Sequence, residues 1–203
     1  MTVGRVRHLD VPMLSVLVIY GTGEGQTAKV ADRIVDVFTA RGHDATAANV
    51  GEGPPDRPLA EYDAILVGAS IHAGRHQKAV RQFVQTNRAV LASKPTAFFQ
   101  VSLTSADEEK AEEAAGYVES FIEKTDWYPD RIGLFGGALR YSEYGFLKRL
   151  LMKQIARRQL PDVDTSADVE FTDWDEVEAF AADVSAFFEG RLAVAPVTAD
   201  DRA

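Results

Sequence analysis

The sequence predicts a three-layer α/β fold, with a doubly wound parallel sheet of five strands covered by helices on both faces. Three observations carry this. Continuously apolar segments alternate along the chain with amphipathic segments of helical period, the pattern of parallel strands buried on both faces and the helices that connect them. A glycine- and threonine-rich turn, Gly21-Thr22-Gly23-Glu24-Gly25-Gln26-Thr27, stands between the first apolar segment and the first amphipathic one. The 203 residues, 46% hydrophobic and 26% charged, are enough for one sizeable core and short for two.

Residues 1–12 show no periodicity and are expected to form a disordered extension, so the domain is placed over 13–189. Leu14–Tyr20 is apolar apart from Ser15 and reads as a strand. A helix runs from about Gln26 to Arg41, with Val30, Ile34, Val37 and Phe38 on one face, and Gly42 supplies a left-handed stop. Asp44–Val50 is a weaker strand, ended by the turn-forming Gly51-Glu52-Gly53-Pro54-Pro55. Ala64–Ser70 is the next buried strand, and the loop Ile71–His76 leads into a helix from about Gln77 to Leu91. Pro95–Leu103 reads as a strand, Asp107–Lys124 as a charged helix with a solvated face, and Arg131–Leu139 as a strand. Phe146–Gln159 has a helical pattern, and Trp174–Phe188 is an amphipathic helix capped by Asp173. Residues 190–203 are expected to be a disordered acidic tail.

Several function classes are excluded at once. There are no cysteines, hence no disulfides, thiolate metal sites or cysteine nucleophiles. The four histidines, His8, His43, His72 and His76, are too scattered for a zinc site. No apolar run approaches the roughly 20 residues of a membrane span, and no secretory signal is visible, so a cytoplasmic location is expected. A net charge of −9 argues against nucleic-acid binding. That charge is uneven: Arg140, Lys148, Arg149, Lys153, Arg157 and Arg158 stand in one stretch against a single acid, Glu143.

In such a sheet, ligands bind beyond the carboxyl ends of the strands. The Gly-rich turn, Ser70–His76 and Leu103–Ser105 all fall at those ends. Strand, glycine turn and helix start make an anion site, because the helix N-terminus offers unpaired N–H groups. A dinucleotide fingerprint wants G-x-G-x-x-G and a later acid; here the spacing is G-x-G-x-G and the second strand ends at Asn49-Val50. A Walker loop needs a lysine, which does not follow Gly25. A receiver domain needs an aspartate where the third strand ends in Ser70. A flavin mononucleotide (FMN) phosphate, held by N–H groups and threonine hydroxyls, suits Thr22, Gly25, Gln26 and Thr27. A Thr-rich turn without a ligand remains the other reading at this point.

The turn resembles the flavodoxin phosphate loop. Further blocks, Val67-Gly68-Ala69-Ser70-Ile71, Trp127-Tyr128-Pro129-Asp130-Arg131, Gly137-Ala138-Leu139-Arg140-Tyr141 and Thr172-Asp173-Trp174, are similar to those of the menaquinone-dependent protoporphyrinogen IX dehydrogenases. These are flavodoxin-like enzymes with an extra segment in the second half. The similarity spans roughly Met13 to Phe188, and the segment falls at about 141–168.

The resemblance implies FMN bound by Thr22, Gly23, Glu24, Gly25, Gln26 and Thr27, by Ser70, Ile71, His72, Ala73 and Gly74, and by Ser102, Leu103 and Thr104. It implies a porphyrinogen substrate, a menaquinone acceptor and chemistry carried by the flavin, so no catalytic side chain and no metal are assigned. The loop Ile71–His76 offers only His72 and His76 as rings, and 102–105 offers none. An uncovered flavin face suits a bulky planar substrate; the alternative is a flavodoxin-like electron carrier. The basic segment, with Arg140, Tyr141, Lys148, Arg149 and Lys153, is the candidate for substrate carboxylates or for peripheral contact with the cytoplasmic face of a membrane. The oligomeric state is not readable. Trp127 and Trp174 are expected to be packing anchors.

Overall fold

The computed structural model describes residues 13–139 and 168–193. Five parallel strands form the main sheet: β1 (Ser15–Gly21), β2 (Asp44–Asn49), β3 (Ala64–His72), β5 (Thr96–Ser102) and β6 (Arg131–Gly136), in the order β2-β1-β3-β5-β6. A two-residue strand, β4 (Arg75–His76), folds back antiparallel on the end of β3. The helices are α1 (Gln26–Ala40), α2 (Lys78–Ala92), α3 (Ala111–Thr125) and α4 (Trp174–Ala193). Strand order reverses between β1 and β3, which is where such sheets open a ligand crevice.

The continuous apolar runs are explained by two cores. Along β1, Val16 and Val18 face α1 and α4, while Leu17 and Ile19 face α2 and α3. The same alternation sends Leu66 and Phe99 to the first core and Ile65, Val67 and Phe98 to the second. Both faces of each central strand are therefore dry.

A polar clasp closes the first core. His43 Nδ1 accepts the Leu14 N–H at 3.3 Å, and its Nε2 meets Ser185 Oγ at 3.1 Å and Glu189 Oε1 at 3.0 Å. Because Nδ1 is an acceptor, the neutral ring carries its proton on Nε2 and donates it. Ser185 is fully buried and also donates to Glu189, so the trio is a structural tie and has no free base. Burial works against the Glu189 carboxylate, but hydrogen bonds from His43, Arg41 and Ser185 hold its pKa below the usual range.

Some elements depart from the sequence expectation. β3 runs two residues beyond Ser70, and the expected loop Ile71–His76 is a hairpin with pairs Ile71–His76 and His72–Arg75. Its two-residue turn, Ala73-Gly74, has φ of 48° and 73°, the left-handed pair that matches strand twist. The helix expected from Asp107 begins at Ala111, after two short 3₁₀ turns, 104–106 and 108–110; the Asp107 side chain accepts the Glu109 N–H and caps the second. The strand expected over Arg131–Leu139 breaks at Gly137 into β6 and β7 (Ala138–Leu139), and β7 pairs antiparallel with β8 (Val169–Glu170), which the sequence did not suggest.

The tail expected to be disordered from 190 is helical to Ala193. The Glu189 clasp and the packing of Phe188 and Leu192 on the first core hold that last turn. The expected extension 1–12 and the helical pattern Phe146–Gln159 lie outside the described residues.

Gly68 sits where a side chain has no room: an added Cβ would stand 2.1 Å from Phe99 Cζ. Gly68→Ala is expected to destabilise the protein by about 2 kcal/mol through overpacking, read as a lower urea midpoint with an unchanged slope.

Candidate active site

Three chain segments meet at the carboxyl edge of the sheet, around an open cleft. The first is the turn between β1 and α1. Gly25 is the N-cap of α1 at φ 87°, and its N–H is accepted by Thr22 Oγ1 at 2.9 Å. The turn thus folds onto itself and leaves the first-turn N–H groups of α1 facing the cleft. Gly21 and Gly23 let other chains close in, since added Cβ atoms would stand 2.2 Å from Gln77 Oε1 and 3.0 Å from His72 Nε2.

The second wall is the end of β3, with Ser70, Ile71 and His72, and the third is Val101, Ser102 and Leu103. Ser102 and Ser105 hydroxyls lie 2.7 Å apart, and Ser102 Oγ accepts the Ser105 N–H at 3.0 Å, which curls this wall inward. Gly137 and Ala138 complete the rim.

Of the cofactor residues expected from the sequence, Thr22, Gly23, Glu24, Gln26, Thr27, Ser70, Ile71, His72, Ser102 and Leu103 line the cleft. Gly25 supports it from behind as the N-cap. Ala73 and Gly74 form the exposed tip of the hairpin, and Thr104 is not among the lining residues; its side chain hydrogen-bonds with Tyr117 of α3. Sequence reasoning missed Val101, Gly137 and Ala138, along with Thr172, which bonds Gln26. The glycine pair 136–137 inside a strand pattern was the available signal, because such glycines mark bulges or close backbone approach. An added Cβ on Gly136 would stand 2.3 Å from the Phe171 carbonyl oxygen. Arg140, Tyr141, Lys148, Arg149 and Lys153 lie outside the described residues, but β7 and β8, the strands flanking them, pair at the cleft rim.

The cleft residues are chemically unfinished. Thr27 Oγ1, Gln26 Oε1 and Ser70 Oγ are buried with no hydrogen-bond partner among the described residues, a costly state unless a ligand completes them. No lysine or arginine lines the described cleft. An anion there is met by N–H groups, a hydroxyl and the dipole of α1. This donor set fits the phosphate and polar chain of FMN.

His72 is the only ring among the lining residues, with Nε2 4.0 Å from Glu24 Oε1. His76, expected as a second ring on this loop, belongs to the core. It packs at 4.8 Å from Phe121 and 5.6 Å from Phe98. The hairpin explains this: neighbouring strands carry His72 and His76 at different register positions, so their side chains part company. Trp127 is buried in the same cluster, and Trp174 packs beside α1 with its Nε1 donating to Glu170.

A family of flavodoxin domains matches residues 17–166. Protoporphyrinogen IX dehydrogenase (quinone) of Escherichia coli K12 is 32% identical over 174 residues, 85% of this chain and 95% of that one. The chain belongs to the flavodoxin-domain protoporphyrinogen IX dehydrogenase family. A relative of the same name from Leishmania major is 31% identical over 185 residues, covering 89% of this chain and 77% of that one. Flavodoxin 2 of Bacillus cereus superposes with a TM-score of 0.51 at 17% identity, over 86% of this chain and 99% of that one. The Fusobacterium nucleatum flavodoxin bound to flavin mononucleotide superposes at 0.50 with 11% identity, over 87% and 99%. These two likenesses bear out the expected flavodoxin-like fold, and the dehydrogenase relatives bear out the family read from the sequence blocks.

Burial pushes the His76 pKa down from 6.5 to about 4; the Gln100 side chain, as an acceptor for the ring N–H, works against this, and the Arg81 and Lys124 cations press the same way as burial. Between those two values the unfolded chain binds the extra proton, so stability rises with pH there. The contribution, about 3 kcal/mol, is complete above about pH 6.5 and lost as pH falls to about 4. Urea unfolding of wild type and His76→Leu between pH 4 and 7 is expected to show a flatter pH dependence in the variant.

Proposed function

We propose that this protein is an FMN-dependent oxidoreductase that oxidises protoporphyrinogen IX to protoporphyrin IX and delivers the electrons to menaquinone. The observation that carries the reading is the cleft: among the described residues, a helix-start cradle without lysine or arginine opens onto a face with one histidine and no other ring. Membership of the dehydrogenase family supports the substrate and a quinone acceptor; menaquinone is the finer choice made here.

In this reading the first-turn N–H groups of Gln26 and Thr27, with the Thr27 hydroxyl, hold the phosphate. Ser70–His72 and Ser102–Leu103 flank the ring system. When bound, FMN would supply two-electron redox chemistry, so the six-electron oxidation of a porphyrinogen would take three flavin cycles and reduce three quinones. The protein's part is to fix orientation, and no side chain is assigned as acid or base. Among the described residues His72 is the one ring at the cleft, and that opening suits a macrocycle against one face. The chain leaves the rim after Leu139 and returns at Val169, so the basic segment between them starts and ends beside the cleft. We assign Arg140 and Tyr141 to the substrate's carboxylate side. Lys148, Arg149 and Lys153 are assigned to peripheral contact with anionic lipid on the cytoplasmic face.

Purified protein reconstituted with FMN is expected to show a bound-flavin spectrum. Under anaerobic conditions that band should bleach with protoporphyrinogen IX and recover on adding a menaquinone analogue. A flavin band that protoporphyrinogen leaves untouched would mean an electron carrier instead. Lys148→Glu combined with Lys153→Glu is expected to weaken sedimentation with anionic liposomes while FMN binding stays unchanged. Equal sedimentation of both proteins removes the membrane role.

A further inference from the structure

The hydrogen-bond chain behind Gln26 has a fixed direction. The Gly136 carbonyl can only accept, and Thr172 Oγ1 lies 2.7 Å from it, so the Thr172 hydroxyl proton is committed to Gly136. The same oxygen lies 2.8 Å from the Gln26 side-chain amide. Having spent its proton, Thr172 can only accept there, so the Gln26 NH2 must be the group that faces it. Glu170 also draws on that amide, and a carboxylate accepts. The Gln26 carbonyl is left on the other side. Gln26 is 5% exposed, its Oε1 is buried with no partner among the described residues, and the residue lines the cleft.

We infer that Thr172 is a positioning residue that locks the Gln26 amide with its carbonyl towards the cleft, creating a subsite for a hydroxyl donor on the ligand. A phosphate dianion brings acceptors alone and cannot satisfy this oxygen. A polyhydroxylated chain can. The inference rests on the FMN reading and divides the cradle: helix N–H groups and Thr27 take the phosphate, and Gln26 Oε1 takes a ribityl hydroxyl. Nothing in residues 21–27 alone sets this polarity, because a glutamine amide turns over freely until its partners are fixed.

The experiment compares FMN with a flavin analogue whose side chain is an unsubstituted pentyl phosphate, by quenching of flavin fluorescence. The wild type is expected to prefer FMN by about tenfold, the discrimination of one well-placed buried hydrogen bond. Thr172→Val keeps the shape, removes the lock and is expected to cut that preference to about twofold or less. Thr172→Ser should restore it, and Gln26→Leu should abolish it with Thr172 intact. A general loosening of the fold weakens both ligands alike and leaves the ratio, so thermal melting of the apoproteins is run alongside. A wild-type preference retained in Thr172→Val overturns the inference while the FMN reading stands. Failure of the wild type to bind FMN overturns both.

Discussion

The site depends on helix α1 beginning at the place where β1 ends, with its unpaired N–H groups facing open space. That junction rests on Gly25, whose left-handed backbone turns the chain from the sheet into the helix axis, and on the Thr22 hydroxyl that holds the turn closed. Everything else at the cleft is arranged around this point. β3 sends His72 across Gly23, β5 supplies the curled wall at Ser102, and the end of β6 anchors Thr172.

The cradle also settles an electrostatic problem. A chain of net charge −9 presents a described cleft without a lysine or arginine to a ligand we take to be anionic. The helix dipole and fixed N–H groups serve instead, and they act at short range. A carboxylate, Glu24, lines the same turn. Selectivity therefore lies in the direction of hydrogen bonds more than in net attraction, which is why the orientation of one amide at Gln26 matters.

Much of this was legible in the sequence because the physics involved is local. Leu14–Tyr20 and Ala64–Ser70 announce buried strands by composition, and Gly21–Thr27 announces a helix start for an anion by its residue types. The misses are tertiary. Nothing in Ile71–His76 says that Ala73 takes a left-handed turn, so a hairpin read as a loop and His76 was counted with His72. Nothing in Val169-Glu170 distinguishes a two-residue strand from a linker until its partner is placed. Thr172 lies 146 residues from Gln26, and no periodicity connects them. The substrate reading came from blocks of resemblance and not from spacing; the family comparison supports it.

The antiparallel pairing of β7 with β8 has a consequence for how such a protein changes over time. The two ends of the intervening stretch are held at the separation of paired strands, roughly 5 Å. Closing a loop between ends already clamped together costs little more when the loop grows, because the entropy rises only with the logarithm of its length. A lineage can therefore lengthen, trim or exchange whatever lies between Leu139 and Val169 at small thermodynamic cost to the domain beneath. The pair works as a graft point, and novelty inserted there arrives at the mouth of the cleft.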